Sequence, residues 1–218
     1  MNLITLGGNT NTQSEDLLAY EFGYRSQLSR RFSFDVATFY NLYQHLSTIE
    51  PGVPFLASSL SPAHLVIPRL LGNRMHGETH GLELAATYTL LKPWKVVGSY
   101  SWLRGRLHPE PVDGGLASFY LPGDNPANQF HLRSYVSLPR NFEVDTHLSA
   151  IGELETRAVP AYLRLNTRLG WRPPAMWKWS LVLQNLLDAR HVEFIPRFEE
   201  EFTREVERGF YSKVTWRF

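Results

Sequence analysis

Histidine is the residue type in this chain best suited to metal binding or general acid–base chemistry, and its eight copies are scattered. Only His76 and His80 have the i, i+4 spacing that brings two imidazoles to one metal on a helix. Both lie beside a glycine at the start of a predicted strand, where side chains four residues apart do not converge. We therefore predict no metal site and no catalytic histidine.

Other catalytic side chains lack the context that their chemistry needs. Cysteine is absent, which excludes disulfide frameworks, thiolate zinc sites and cysteine nucleophiles. Ser99 and Ser101 have no nucleophile-elbow context around them. The carboxylates of Glu199, Glu200 and Glu201 have no fixed mutual geometry, and we interpret them as part of a solvated loop. We predict no catalytic residue, no bound cofactor and no enzyme activity.

One group of residues has the composition of a ligand-binding patch. Arg104, Arg106 and His108 follow Trp102 closely, so cationic groups stand beside an aromatic ring. Such a patch suits an anionic ligand. The alternative is that these residues only keep an exposed loop soluble, and both interpretations stay open at this point.

The elements that must position these residues are predicted to be strands. Mean hydropathy is −0.26, and no run approaches the roughly 20 apolar residues of a membrane helix. Apolar residues instead alternate with polar or small ones, the period of a strand. About nine such segments occur, at residues 18–25, 32–41, 82–90, 94–102, 130–138, 142–150, 163–171, 179–183 and 210–218.

The second face of these strands carries too many charges for a packed soluble core. A barrel with a polar interior accommodates them, because its outward residues face lipid. These charges argue against a soluble β-sandwich or a lipocalin-like binder. The charged residues of that face are Arg25, Asp35, Glu83, Lys95, Arg133, Glu143, Asp145, Arg164, Arg168, Lys213 and Arg217.

The connections between the predicted strands alternate between short and long. Long loops are expected at residues 44–77, 104–126 and 187–208, and the prolines of 44–77 argue against a strand there. Outer-membrane barrels have short periplasmic turns and long external loops, and their aromatic girdles meet the lipid interfaces. Aromatic residues cluster beside the short turns here. The net charge of +1 gives no reason to expect a nucleic acid partner.

Several segments resemble one family of such barrels, the TonB-dependent receptors. Residues 8–15 and 19–25 are similar to the family stretch GNxNxxxE…AYExGYR that leads into a barrel strand. Gly81-Leu82-Glu83-Leu84 resembles its GxE strand, and residues 184–188 resemble its NLxD element. The ending, with Phe210, Val214, Trp216 and Phe218, resembles a terminal strand that the barrel assembly machinery recognises.

The resemblance implies an all-β antiparallel meander of about nine transmembrane strands in the bacterial outer membrane. The family barrel has about 22 strands around a plug. Residues 1–218 are therefore expected to be the C-terminal part of a larger barrel, without the plug domain, the first barrel strands, the TonB-binding segment or a signal peptide.

The implied function is active uptake of a scarce nutrient, such as a ferric siderophore, haem or cobalamin. The implied energy source is the TonB complex, which would be contacted only through the missing N-terminal part. Outer-membrane lipid is the other expected partner. The alternative is a small independent outer-membrane barrel that is structural or enzymatic.

Overall fold

The computed structural model describes residues 2–58, 63–112, 117–118, 123–173, 176–195 and 204–216. These residues form strands joined by turns, and none of their helical turns is long and apolar enough to cross a membrane. The strands are β1 (Asn2–Gly7), β2 (Asp16–Gln27), β3 (Phe32–Pro51), β4 (Phe55–Ala57), β5 (His64–Leu91), β6 (Trp94–Pro109), β7 (Ala117–Ser118), β8 (Asn128–Leu138), β9 (Phe142–Ile151), β10 (Tyr162–Trp171), β11 (Trp177–Gln184), β12 (Arg190–Phe194), β13 (Arg204–Glu207) and β14 (Gly209–Trp216).

The main sheet follows the order of the chain. β2, β3, β5, β6, β8, β9, β10, β11 and β14 are successive neighbours, and they correspond to the nine strands that the alternation predicts. The β8–β9 and β9–β10 pairs are antiparallel along the whole of β9. The prediction of an all-β antiparallel meander is confirmed. The sheet is not closed, because β2 and β14 end the order and do not pair with each other within the described residues.

The predicted loop boundaries are wrong, because the strands continue into the predicted loops. β3 extends to Pro51 and β5 begins at His64, within the predicted loop 44–77. Proline cannot donate to a ladder, but the carbonyl of Pro68 still accepts the Gly52 N–H at 2.9 Å, so pairing continues around it. β6 likewise extends to Pro109, and β12 and β13 form a hairpin inside the predicted loop 187–208.

The first strand departs from a simple meander. β1 pairs with β5 in parallel, from Asn2 opposite Leu65 to Gly7 opposite Leu70. This strand is not predicted from the sequence, since a run of six residues without strict alternation carries little periodic signal.

The chain divides into two compact units. One comprises residues 1–20, 39–80 and 105–122, and it contains β1, β4 and β7. The other comprises residues 21–38, 81–104 and 123–218, and it contains β8 to β14 with the short turns. β2, β3, β5 and β6 contribute one part to each unit.

The second unit has the two faces that the alternation predicts. Leu132, Leu148 and Leu165 are aligned across β8, β9 and β10 on what we call the apolar face. Arg133 and His147 lie directly opposite each other on the polar face. Exposing a hydrophobic side chain to water costs free energy. The exposed side chains of the apolar face avoid this cost only if their surroundings are themselves apolar. Exposed apolar residues of this unit include Tyr88, Phe130, Leu132, Leu163, Leu169, Phe210, Val214 and Trp216.

Candidate functional site on the polar face

Six polar side chains form two adjacent rows across β8, β9 and β10. The first row is His131, Ser149 and Arg164, which are direct cross-strand neighbours. The second row is Arg133, His147 and Asn166. Antiparallel pairing brings directly opposite side chains of one face within contact distance, so strands distant in sequence supply one cluster.

A hydroxyl group links the two imidazoles of this cluster. Ser149 is 1% exposed, and its Oγ lies 3.1 Å from His131 Nδ1 and 3.2 Å from His147 Nε2. The two rings are tilted, with centroids 5.5 Å apart. Because a hydroxyl has one proton and two lone pairs, Ser149 can donate to one histidine while it accepts from the other.

The β12–β13 hairpin adds a carboxylate to the same unit. Arg164 Nη1 donates to Glu193 Oε1 at 2.6 Å, and His191 Nε2 lies 3.1 Å from the same oxygen. The His191 ring stacks on Tyr162, with centroids 4.5 Å apart. The hairpin is therefore attached to β10 by an ion pair and a ring contact. The Nε of Arg164 is buried and has no hydrogen-bond acceptor among the described residues.

A single asparagine directs the chain into this hairpin. Asn185 is fully buried and has a φ of 52°, a left-handed conformation that asparagine tolerates better than most residues. Its backbone N–H donates to Asn166 Oδ1 at 3.0 Å, and its Nδ2 donates to the Val206 carbonyl at 3.0 Å. The backbone of Asn185 thus joins the end of β11 to β10, and its side chain joins it to β13.

A second group of charges on the polar face is mutually compensated. Arg168 Nη1 lies 2.6 Å from Asp145 Oδ2 and 3.1 Å from Glu143 Oε2. Arg172 Nη2 lies 2.8 Å from the other Glu143 oxygen. Two guanidinium groups thus face two carboxylates, and this network holds β9 and β10 in register.

The aromatic residues beside the short turns cluster on the apolar face. Phe142 stacks on Trp171 at 5.7 Å, and Trp171 meets Trp177 edge-on at 5.2 Å. Trp94 Nε1 donates to Ser134 Oγ at 2.9 Å, and Trp179 Nε1 donates to Ser212 Oγ at 2.8 Å. The indole N–H groups are thereby satisfied while the rings border the apolar face, as in an interfacial girdle.

Comparison with known proteins identifies the family of this sheet. The family model described as "TonB dependent receptor-like, beta-barrel" matches residues 2–186. The chain belongs to this family. No curated protein sequence matches the chain.

Solved TonB-dependent receptor structures have the same fold. The siderophore receptor PirA from Acinetobacter baumannii superposes with a TM-score of 0.71 at 11% identity, over 97% of this chain and 33% of PirA. The outer membrane transporter YddB from Escherichia coli superposes with a TM-score of 0.68 at 13% identity, over 95% of this chain and 33% of YddB. The ferric-catecholate import receptor Fiu from E. coli K12 superposes with a TM-score of 0.66 at 17% identity, over 94% of this chain and 28% of Fiu. The chain thus spans about a third of the length of these proteins, which are receptors and transporters rather than enzymes.

The ligand-contact residues that we predict in this receptor barrel all lie on β6, not in a loop. Trp102 and Arg104 belong to the unit that contains the polar cluster, whereas Arg106 and His108 belong to the other unit. His108 stacks on His76 with centroids 5.1 Å apart. The structure therefore does not bring the four residues together in one unit.

The other residues singled out in the sequence have separate surroundings. His80 faces Tyr40 at 6.3 Å, so His76 and His80 take different ring partners. Phe210, Val214 and Trp216 lie on β14 with 78%, 63% and 70% of their surface exposed. Phe218 and residues 199–201 lie outside the described residues.

The polar cluster is not predicted as a site from the sequence. The alternation does predict that His131, His147 and Ser149 lie on the charged face, and that was the available signal. Alternation within single strands does not say which residues are opposite each other, since a shift of the cross-strand pairing changes every neighbour. Only the registers of β8, β9 and β10 bring these side chains together.

Proposed function

We propose that this chain is the C-terminal barrel segment of a TonB-dependent outer-membrane receptor that takes up a scarce nutrient such as a ferric siderophore. The observation that carries the proposal is the combination of this family's barrel sheet with one apolar and one charged face. On this proposal the apolar face contacts outer-membrane lipid, and the polar face lines the interior that a ligand enters.

The open order of the sheet supports a larger barrel. β2 and β14 would each leave unpaired backbone groups in hydrocarbon, at a cost of several kcal/mol for each group. We propose that further strands and a plug, supplied by the rest of the polypeptide, complete the structure and provide the contact with TonB. The open edges weigh against the alternative of a small independent barrel formed by this chain alone.

Two sets of residues have proposed roles within this function. The exposed side chains of Phe210, Val214 and Trp216, together with Phe218, form the signal for the barrel assembly machinery. Trp102, Arg104, Arg106 and His108 are ligand-contact residues. No enzymatic step is proposed for any of them.

Nutrient uptake by cells tests the proposed function. Cells that produce the complete natural polypeptide are given radiolabelled ferric siderophores, haem or cobalamin, with and without a functional TonB protein. We expect one of these nutrients to accumulate only in cells that have both proteins. Accumulation that is independent of TonB, or the uptake of none of these nutrients, would contradict the proposal.

A further inference from the structure

The polar cluster carries more positive charge than its own carboxylate compensates. Arg133 is exposed and forms no ion pair with any described residue, although Asp145 and Glu143 lie on the neighbouring strand. Those two carboxylates are already bound by Arg168 and Arg172. Glu193 compensates the charge of Arg164, so the guanidinium of Arg133 has no carboxylate partner among the described residues.

The donors of the cluster also exceed its acceptors. Arg133 presents five N–H donors and no acceptor. The buried Nε of Arg164 has no acceptor within the described ranges of the chain. Ser149 occupies one ring nitrogen of each histidine, and the ring that accepts the Ser149 proton carries its own N–H on the second nitrogen, which adds one further donor. A cluster of unused donors beside an uncompensated cation suits an anion with several oxygen atoms.

Glu193 demonstrates how an oxyanion fits here. Its carboxylate comes from the hairpin. Glu193 Oε1 accepts a hydrogen bond from Arg164 Nη1 at 2.6 Å and lies 3.1 Å from His191 Nε2. One guanidinium and one imidazole thus share a carboxylate oxygen. Arg133 with His147, its direct cross-strand neighbour, repeats this pair of residue types, and no carboxylate of the described residues is paired with Arg133.

We propose that Arg133, His131, His147 and Ser149 form a binding site for an oxyanion, namely a carboxylate or phosphate group carried by the transported ligand. This inference rests on the proposed function, because it assigns a substrate class to the polar face. The two histidines alone could be taken for a metal site. The uncompensated guanidinium of Arg133 beside them repels a divalent cation, so the charge distribution selects an anion.

Anion binding by the purified protein tests the site. The complete natural polypeptide in detergent is titrated calorimetrically with citrate and, separately, with inorganic phosphate. We expect saturable binding of at least one of the two, weakened about tenfold or more by Arg133→Gln, since a charge-assisted hydrogen bond is lost. Citrate binding alone identifies a carboxylate site, and phosphate binding alone identifies a phosphate site.

A matched variant separates this site from general electrostatic attraction. Arg25→Gln removes a cation of the same unit that is already paired with Asp35, and we expect it to change the affinity less than about twofold. His147→Gln provides a second variant of the cluster and is expected to weaken binding as well. Equal losses in Arg25→Gln and Arg133→Gln, or no saturable binding of either anion, would overturn the proposal.

Stability without anion excludes a purely structural role. If Arg133 binds a carboxylate from elsewhere in the polypeptide, Arg133→Gln lowers the unfolding midpoint before any anion is added, and the proposal fails. We expect instead that the midpoint is unchanged without anion and that added citrate or phosphate raises it only in the unsubstituted protein. These measurements involve neither TonB nor transport, so they can succeed or fail independently of the uptake assay.

Discussion

Asn185 shows how one residue can determine the course of the chain. Its left-handed backbone turns the polypeptide out of β11, and its side chain then holds β13 through the Val206 carbonyl. It lies within residues 184–188, the segment that resembles a family element. Its position is explained physically, since few L residues combine a positive φ with a side-chain donor.

Replacing Asn185 tests these two contributions separately. Asn185→Ala is expected to lower the free energy of unfolding by about 1–3 kcal/mol, because the hydrogen bond to Val206 is lost and alanine is strained at this φ. Asn185→Gly loses the same hydrogen bond without the strain, so it should be less destabilising by about 1 kcal/mol. Denaturant unfolding in lipid vesicles measures both. Equal losses for the two variants would show that backbone strain is unimportant at this position.

At the scale of elements, the β12–β13 hairpin is more than a loop. Its strands pair with each other, and β12 is attached to β10 by the Arg164–Glu193 ion pair and the Tyr162–His191 stack. A second cation, Arg157, donates to the Ile195 carbonyl at 3.3 Å and lies over the Phe194 ring. The hairpin is therefore held along one side by several contacts.

Weakening one of these contacts should loosen the hairpin without unfolding the sheet. Glu193→Gln is expected to cost about 1 kcal/mol, since the pair is partly exposed, and to accelerate amide hydrogen exchange in residues 190–194 about fivefold. Glu205→Gln is the control, because Glu205 pairs with Arg190 inside the hairpin itself. The attachment is not electrostatic if exchange in residues 190–194 is equally fast in both variants.

The strand elements were predictable and the loops were not. Period-two alternation locates all nine main strands, because one face of each strand meets an apolar environment and the other face meets a polar one. The same rule fails where β3 and β5 extend past this two-sided region, because Pro51 and Pro68 resemble loop residues. Backbone pairing between neighbouring segments, which no local pattern reports, keeps those residues extended.

At the scale of the whole molecule, the apolar face determines which surroundings the sheet requires. Leu132, Leu148 and Leu165 form a cross-strand row between the aromatic cluster near the short turns and the Tyr100 and Phe130 pair farther along the strands. This distribution matches the apolar band of an outer-membrane barrel. On the proposed function, this row lies in the hydrocarbon of the bilayer.

A charge on each face distinguishes a lipid-facing from an interior surface. Leu165→Arg should lower the free energy of unfolding of the complete natural polypeptide in lipid vesicles by about 2–4 kcal/mol, because a cation is placed in hydrocarbon. Gln129→Arg, on the polar face of β8, should change it by less than about 0.5 kcal/mol. If Leu165→Arg leaves the free energy of unfolding unchanged, the apolar face does not contact lipid.

The amino-acid sequence by itself determined which side chains share a face and that the connections alternate in length. Both are local properties, since alternation follows from the geometry of one strand. Only the tertiary structure decided which residues meet across strands: that Ser149 joins His131 and His147, that Glu193 reaches Arg164, and that Arg133 meets no carboxylate in the part of the chain that the structure describes. Register and the path of the hairpin depend on contacts between residues far apart in sequence, and these are set by the packing of the whole sheet.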